Sequence, residues 1–406
     1  MLLLHTSDWH IGRALCGRRR YREAGRFLDW LADWIEEHLV DVLLVAGDIF
    51  DTSTPGNRAQ SLYYRFLCRV AASACRHVVV ISGNHDSPSL LAAPRELLRE
   101  LRIHVITAPA PDPADQVLLL DDAEGRPELV VCAVPYLRDR DIRRSAPGES
   151  MVEKQARLLE GIRAHYRAVC GHGIRLRNEL DIPLVAMGHL FAAGGQVVDG
   201  DGVRELAVGG LDRVETDIFP PEIDYLALGH LHQAQRVGGA DNRHYSGAPL
   251  AMGFAEAGRE KSVLAVRFTG RRPAVQKVPV PCFRPLYRIS GDLETILSGL
   301  AELVQQGDGG LVEVVYTGDA VVAGLGDQVF AAVEGTDLEV LSIRNTRAVA
   351  RAMARMHSGE ALEEMDEEEV FRRLLEDRGV PEHQRGDLEN CFREILLTLH
   401  EQDRDA

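Results

Sequence analysis

Residues 41–51 read Asp41-Val42-Leu43-Leu44-Val45-Ala46-Gly47-Asp48-Ile49-Phe50-Asp51, and this stretch decides the fold. A short unbroken apolar run, Val42–Val45, is expected as a strand buried on both faces. The glycine that follows permits a sharp turn, which would set two carboxylates at the strand's carboxyl end. The pattern recurs. Leu2–Leu4 leads into Ser7-Asp8-Trp9-His10, and Val78–Ile81 into Gly83-Asn84-His85-Asp86. Leu184–Ala186 leads into Gly188-His189, and Leu226–Leu228 into Gly229-His230-Leu231-His232. Between them lie helix-period segments, Phe27–His38, Gln60–Val70 and Pro94–Leu101. Such alternation predicts a layered α/β core with helices on its faces. In open α/β sheets the ligand crevice lies beyond the carboxyl ends of the strands, so five polar loops would converge on one rim.

The rest of the chain sets the bounds. At 406 residues, with 45% apolar and 27% charged positions, it suits a folded protein of two or three domains. No stretch approaches the roughly 18 apolar residues of a membrane span, and Met1–Leu4 is too short for a signal peptide. A cytoplasmic protein without membrane association is expected. Seven cysteines, odd in number and without a C-x-x-C pair, read as thiols in a reducing compartment. The net charge of −16 is uneven: residues 361–406 hold six Arg against fifteen Asp and Glu, a net −9. Nucleic acid binding depends on local patches, so the sum excludes little. Around 270–285 a cluster of Arg271, Arg272, Pro273, Pro279, Pro281 and Pro285 marks a boundary. A small α+β region should follow, with strands at Leu286–Ile289, Leu311–Val315 and Leu338–Ile343. Its helices are expected at Leu293–Gln305 and Asp327–Val333. A basic helical segment, Arg344–His357, and two last helices, near Glu363–Glu376 and Asp387–His400, complete the reading.

Asp8, His10, Asp48, Asn84, His189, His230 and His232 make a donor set of imidazoles, carboxylates and one amide oxygen. Such donors suit Mn²⁺, Fe²⁺ or Zn²⁺. Seven donors exceed the need of one ion that keeps an open position, whereas two ions about 3.5–4 Å apart account for them. Asp48 is the natural bridge, one oxygen to each ion, with a shared water as nucleophile. His85, adjacent to Asn84, is left free to donate a proton to the departing oxygen or to steady phosphoryl charge. Asp51, one turn beyond Asp48, could hold that imidazole protonated.

Asp8-x-His10, Gly47-Asp48-x-x-Asp51, Gly83-Asn84-His85-Asp86, Gly188-His189 and Gly229-His230-x-His232 resemble the ordered motifs of the calcineurin-like metallophosphoesterases. The longer phrases His5–Arg13, Ala46–Thr52, Asp224–Gln233 and Tyr245–Pro249 are similar to one branch, the SbcD nuclease subunits of bacterial SbcCD complexes. The resemblance implies a four-layer α/β/β/α sandwich at 1–275, an α+β capping domain at 283–345, and a linker with C-terminal helices at 346–406. It implies Asp8, His10, Asp48 and His232 at one Mn²⁺, and Asp48, Asn84, His189 and His230 at the other, with His85 catalytic. Thr52 stands where protein phosphatases of the superfamily carry Arg, and Asp51 where archaeal and eukaryotic relatives often carry His. The implied activities are 3′–5′ double-strand exonuclease and single-strand or hairpin endonuclease on DNA. A small-molecule phosphodiesterase or phosphatase on the same fold is the alternative.

Arg13, Arg18, Arg19 and Arg20, with Arg22 and Arg26, follow the first ligand pair, where they could neutralise DNA backbone phosphates. Arg138, Arg140, Arg143 and Arg144 form a weaker patch. Leu62, Phe66, Leu67 and Val70 and the leucines of 90–101 give helix stripes. In relatives the corresponding helices imply a homodimer, here within a heterotetramer. Leu388, Cys391, Phe392, Ile395, Leu396 and Leu399 form a one-sided stripe, preceded by Val370, Phe371, Leu374 and Leu375. The resemblance implies that Phe371, Leu375, Phe392 and Ile395 meet an SbcC-type ATPase at the base of its coiled coil.

Overall fold

The computed structural model describes residues 1–142, 150–192, 216–307, 309–318, 320, 322–345, 371, 372, 374, 375, 385, 386, 388, 389 and 392. Each decisive apolar run is a strand, and the strands assemble into two six-stranded sheets. In the first sheet the order is Arg272–Val280, Lys261–Thr269, Leu2–Thr6, Val42–Ala46, His77–Ile81, Ile103–Ile106. In the second it is Gln235–Arg236, Arg243–Tyr245, Tyr225–Gly229, Leu184–His189, Pro127–Ala133, Val117–Asp121.

The two-sided burial expected of these runs has a direct structural form. Side chains alternate across a strand, so Leu43 and Val45 face outward onto the helices Tyr21–His38 and Asn57–Ala71. Val42, Leu44 and Ala46 face inward, against Val131, Val185, Met187 and Ala227 of the second sheet. The outer face of that second sheet is closed by the helix Met151–Leu180 through Leu158, Ile162, Tyr166, Val169 and Cys170. The layers therefore run helix, sheet, sheet, helix. Val42–Ala46 pairs in parallel with both Leu2–Thr6 and His77–Ile81, and Tyr225–Gly229 in parallel with Leu184–His189. That shared direction gathers the five polar loops at one end.

Within the 270–285 cluster expected to mark a boundary, the first part still belongs to the first sheet: Lys261–Thr269 and Arg272–Val280 form an antiparallel hairpin. Pro273 and Pro279 are accommodated because that strand is the sheet's edge, where a missing N–H breaks no ladder. The small α+β region has strands Leu286–Gly291, Gly310–Tyr316 and Leu338–Asn345 and helices Leu293–Gln306 and Leu325–Val333. Arg344 and Asn345, expected as the start of a helix, close the last of these strands.

By backbone contacts the chain divides into two units. One comprises Met1–Ile289, Leu297–Val314 and Gly324–Ile343; the other comprises Ser290–Ile296, Val315–Ala323 and Arg344–Ala406. Within the second, the rings of Phe371 and Phe392 stack at 4.0 Å, and Leu375 is buried. Ile395, Arg143 and Arg144 lie outside the described residues. Among the described residues no helix is long and apolar enough to cross a membrane.

The leucine stripes of the next helices are largely consumed at home. Phe66, Leu67, Val70, Leu91 and Leu98 belong to the core of the first sheet, whereas Leu97 and Leu101 are exposed.

Candidate metal centre

The first two loops are stitched together main chain to main chain. The N–H of Asp8 donates to Gly47 O at 3.0 Å, and that of His10 to Asp48 O at 3.0 Å. A third loop is tied in by the buried Asp86, whose carboxylate accepts from the N–H groups of Ile49, Phe50 and Gly83. Sequence reading gave Asp86 no role, although it closes the Gly83-Asn84-His85-Asp86 run. It is a loop anchor.

Close approach, more than turn formation, explains the glycines. Gly47 takes φ +90°, as expected of a turn. At Gly83 a Cβ would collide with Asp48, and at Gly229 with the carbonyl of Ala46. The backbone strain falls on the polar residues themselves: Asp8, His10, Asp48 and His230 have φ of 54°, 44°, 52° and 105°. Non-glycine residues rarely adopt such values, which persist where the surroundings impose them, commonly at functional sites.

All seven candidate donors converge, and they sort into two groups. Asp8, His10 and His232 have ligand atoms within 4.8 Å of one another, as do Asp48, His189 and His230. Asp48 joins the groups, since its Oδ2 lies 3.6 Å from His10 Nε2 and 3.3 Å from His189 Nε2. Asn84 Oδ1 lies 3.0 Å from His189 Nε2 and 3.1 Å from His230 Nδ1.

The tautomer of His189 follows from its partners. Its Nδ1 donates to the Ala46 carbonyl at 2.8 Å, so in the neutral ring that a metal would require, Nε2 is the lone-pair atom aimed into the site. His10 Nε2 and His232 Nε2 face each other at 3.2 Å. Imidazole lone pairs, two buried carboxylates and an amide oxygen turned toward common points are what divalent cations would draw together. The residues fit two such ions.

The electrostatics show the same crowding. Burial raises the Asp8 carboxyl to about 6, with the neighbouring Asp48 charge adding to the effect. Burial also works against charge on Asp48, but His189 beside it outweighs that and holds the carboxyl well below the usual range. His189 responds in kind: burial disfavours its proton, yet Asp48 lifts it to about 9. Burial, aided by His189, pushes His230 down to about 3.

His85 sits beside the groups, its ring edge-on to His10 at 4.8 Å. Its N–H donates to Asp48 Oδ1 at 2.9 Å. Its Nδ1 donates to an acceptor on Asp51, but that acceptor is the main-chain oxygen, at 2.8 Å. The Asp51 carboxylate, expected to hold His85 protonated, faces His10 Nδ1 at 3.4 Å and accepts from Arg13 Nη1 at 3.1 Å. Burial lowers the pKa of His85, although Asp48 pulls the other way.

The arginines expected on a DNA path divide. Arg20 is buried, donating to the Ala251 carbonyl at 2.5 Å and lying 3.6 Å from Glu23, so it is withdrawn from any DNA surface. Arg18 pairs with Glu339, and Arg13 is held by Asp51 and by the Met252 carbonyl. Arg19 is exposed while donating to the Gly12 carbonyl at 2.7 Å. Two serines were missed: Ser7 Oγ donates to Asp8 Oδ2 at 2.5 Å and lies 2.7 Å from Ser246 Oγ. Ser246 falls within the Tyr245–Pro249 phrase, the available signal.

A helix–sheet–sheet–helix sandwich with two imidazole–carboxylate groups at its strand ends is the architecture of a metal-dependent phosphoesterase. Residues 1–234 match the family model described as calcineurin-like phosphoesterase. Residues 282–378 match that described as type 5 capsule protein repressor C-terminal domain. A protein from Escherichia coli (strain K12), named as the D component of the SbcCD nuclease, is 35% identical over 402 residues, 98% of each chain. Proteins of the same name from Rhodobacter capsulatus and Bacillus subtilis are 34% and 33% identical. They cover 86% and 74% of this chain, and 88% and 76% of their own. The chain belongs to the SbcD family of calcineurin-like phosphoesterases.

Proposed function

We propose that the chain is the Mn²⁺-dependent DNA nuclease subunit of an SbcCD-type complex. In it, Asp8, His10, Asp48 and His232 would hold one ion, and Asp48, Asn84, His189 and His230 the other. The observation that carries the reading is Asp48 Oδ2, placed between His10 Nε2 and His189 Nε2. When bound, two such ions would supply Lewis-acid stabilisation of phosphoryl charge and a deprotonated water as nucleophile.

The chain's own residues do the rest. With Nδ1 donating to the Asp51 carbonyl, His85 has Nε2 left to face the phosphate or its departing oxygen, and only the imidazolium form carries the Nε2 proton that such donation needs. Asp86 holds the loops that carry Asp48 and His85 in register. Arg19 keeps the exposed position from which backbone phosphate could be neutralised.

The substrates are DNA ends, hairpins and single strands, cut by 3′–5′ exonuclease and endonuclease action in the cytoplasm. The subunit works as a homodimer with an SbcC-type ATPase in a heterotetramer. Residues 283–345 serve as its cap, and 346–406 as the ATPase-binding segment, with Phe371, Leu375, Phe392 and Ile395 in the contact. Support comes from the relatives' name, which makes them one component of an SbcCD nuclease, and from the Escherichia coli relative's match over 98% of the chain. The test is cleavage by purified protein with Mn²⁺, comparing hairpin DNA, a bis-phosphate ester and a phosphomonoester. Preferential cleavage of the small esters would overturn the reading in favour of a small-molecule phosphoesterase.

A further inference from the structure

Asp51 touches both imidazoles that chemistry at the site would use, through different atoms. Its carboxylate Oδ1 lies 3.4 Å from His10 Nδ1, and its main-chain oxygen accepts from His85 Nδ1 at 2.8 Å. Arg13 secures it: Nη1 donates to Asp51 Oδ1 at 3.1 Å, while Nε donates to the Met252 carbonyl at 3.2 Å. We propose that Arg13 is a positioning residue that locks the Asp51 carboxylate, so that His10 turns Nε2 to a metal ion. The inference rests on the two-metal reading above.

The physical reason lies in the two nitrogens of an imidazole. A neutral ring carries one proton, and the partner of one nitrogen decides which atom keeps a free lone pair. The charge of a carboxylate 3.4 Å from His10 Nδ1, a contact short of a formed hydrogen bond, favours the proton on that nitrogen and leaves Nε2 to ligate; such outer partners are what orient metal-binding histidines. Nε2 is the atom that faces His232 Nε2 at 3.2 Å and Asp48 Oδ2 at 3.6 Å.

A carboxylate alone could not guarantee this. Asp51 is 19% exposed at its side chain, enough for an unheld carboxylate to swing toward water. Arg13 removes that freedom because its planar guanidinium is pinned by two different nitrogens to two different loops. The same two contacts commit Nε and Nη1 inside the protein, which argues against a DNA phosphate as the partner of Arg13.

The probe is Mn²⁺, titrated into the full-length chain without DNA and followed by the electron paramagnetic resonance of the free ion. Wild type should take two equivalents; fewer would overturn the two-metal reading and leave the role of Arg13 aside. Arg13→Gln should bind one equivalent normally and the other about 10–100-fold more weakly. Asp51→Asn should do the same, and the double variant should be no weaker than either single one, because Arg13 acts through Asp51. Arg13→Lys should recover part of the affinity. DNA affinity in EDTA, read by fluorescence anisotropy, should be unchanged. Two normal equivalents in Arg13→Gln with weakened, less salt-dependent DNA binding would make Arg13 a phosphate contact and overturn the proposal. Loss of both equivalents together with a lowered melting temperature would make it a structural residue only. If Arg13→Gln does not fold, two tight equivalents in Asp51→Asn overturn the proposal alone.

Discussion

Asp48 uses both carboxylate oxygens. Oδ1 accepts the His85 N–H, and Oδ2 faces an imidazole of each donor group. Asp48→Asn should therefore weaken Mn²⁺ at both positions and abolish cleavage, whereas Asn84→Ala should weaken one. Metal analysis after gel filtration checks this, and two full equivalents in Asp48→Asn would count against the bridge. His85→Gln leaves every donor in place, so it should retain both ions and DNA affinity. Its cleavage rate should fall by about 10²–10⁴, the usual worth of general acid–base catalysis; single-turnover kinetics at saturating Mn²⁺ measures it. At this scale the sequence showed the donors plainly, because residue type and strand-end position together announce a ligand. It could not show which atom of Asp51 meets which histidine. That depends on a backbone carbonyl, which every residue has, and on positive-φ residues such as His10 and Asp48 that no side-chain pattern reveals.

The strands were legible for a related reason: an apolar run that alternates between two cores has both faces committed, as Val42–Ala46 does. The helix Met151–Leu180 carries its signal in the sequence too, since Ser150 and Glu153 form a capping box at its start. Leu158, Ile162, Tyr166 and Val169 then recur at helical spacing. The prolines at 273 and 279 misled because their effect depends on edge position, a property of the sheet and not of the segment. These buried elements also carry histidines whose titration the fold opposes. Burial lowers His5 from its ordinary 6.5 to about 3, and His104 and His244 to about 4. The unfolded chain gains protons below pH 6.5 while the fold does not. The contribution of these three histidines to stability is thus full above about pH 6.5 and declines as pH falls toward 4. His5 alone should account for about 2 kcal/mol between pH 7 and pH 5. Denaturant unfolding at the two pH values should show a smaller loss for His5→Gln, which keeps a polar partner for Tyr225 Oη, 3.0 Å from His5 Nδ1. An undiminished acid sensitivity in that variant would assign the effect to other groups.

For the whole molecule, the acidic C-terminal segment poses the question that the catalytic sandwich does not answer. The described residues of its apolar stripes, read as a surface for a partner, are unevenly buried. Phe371 and Phe392 stack on each other and Leu375 is buried, whereas Leu374 and Leu388 are 46% and 41% exposed. The ring stack joins the two parts of the segment, and among the described residues Leu374 and Leu388 are the apolar side chains exposed to enter a groove, as an amphipathic helix does when it docks. This changes which substitution is informative. Phe392→Glu would break the ring stack and unsettle the segment itself, so its effect on a partner would be ambiguous. Leu388→Glu and Leu374→Glu place a charge on the exposed face and leave the stack intact. Each should keep Mn²⁺-dependent cleavage of short single-stranded DNA while weakening co-elution with an SbcC-type ATPase and losing ATP-stimulated cleavage. Deletion of residues 360–406 should reproduce both losses. Normal co-elution of both point variants alongside loss in the deletion would move the contact onto the stacked phenylalanines or the residues around Ile395. Normal co-elution of the deletion would place the ATPase site outside this segment altogether.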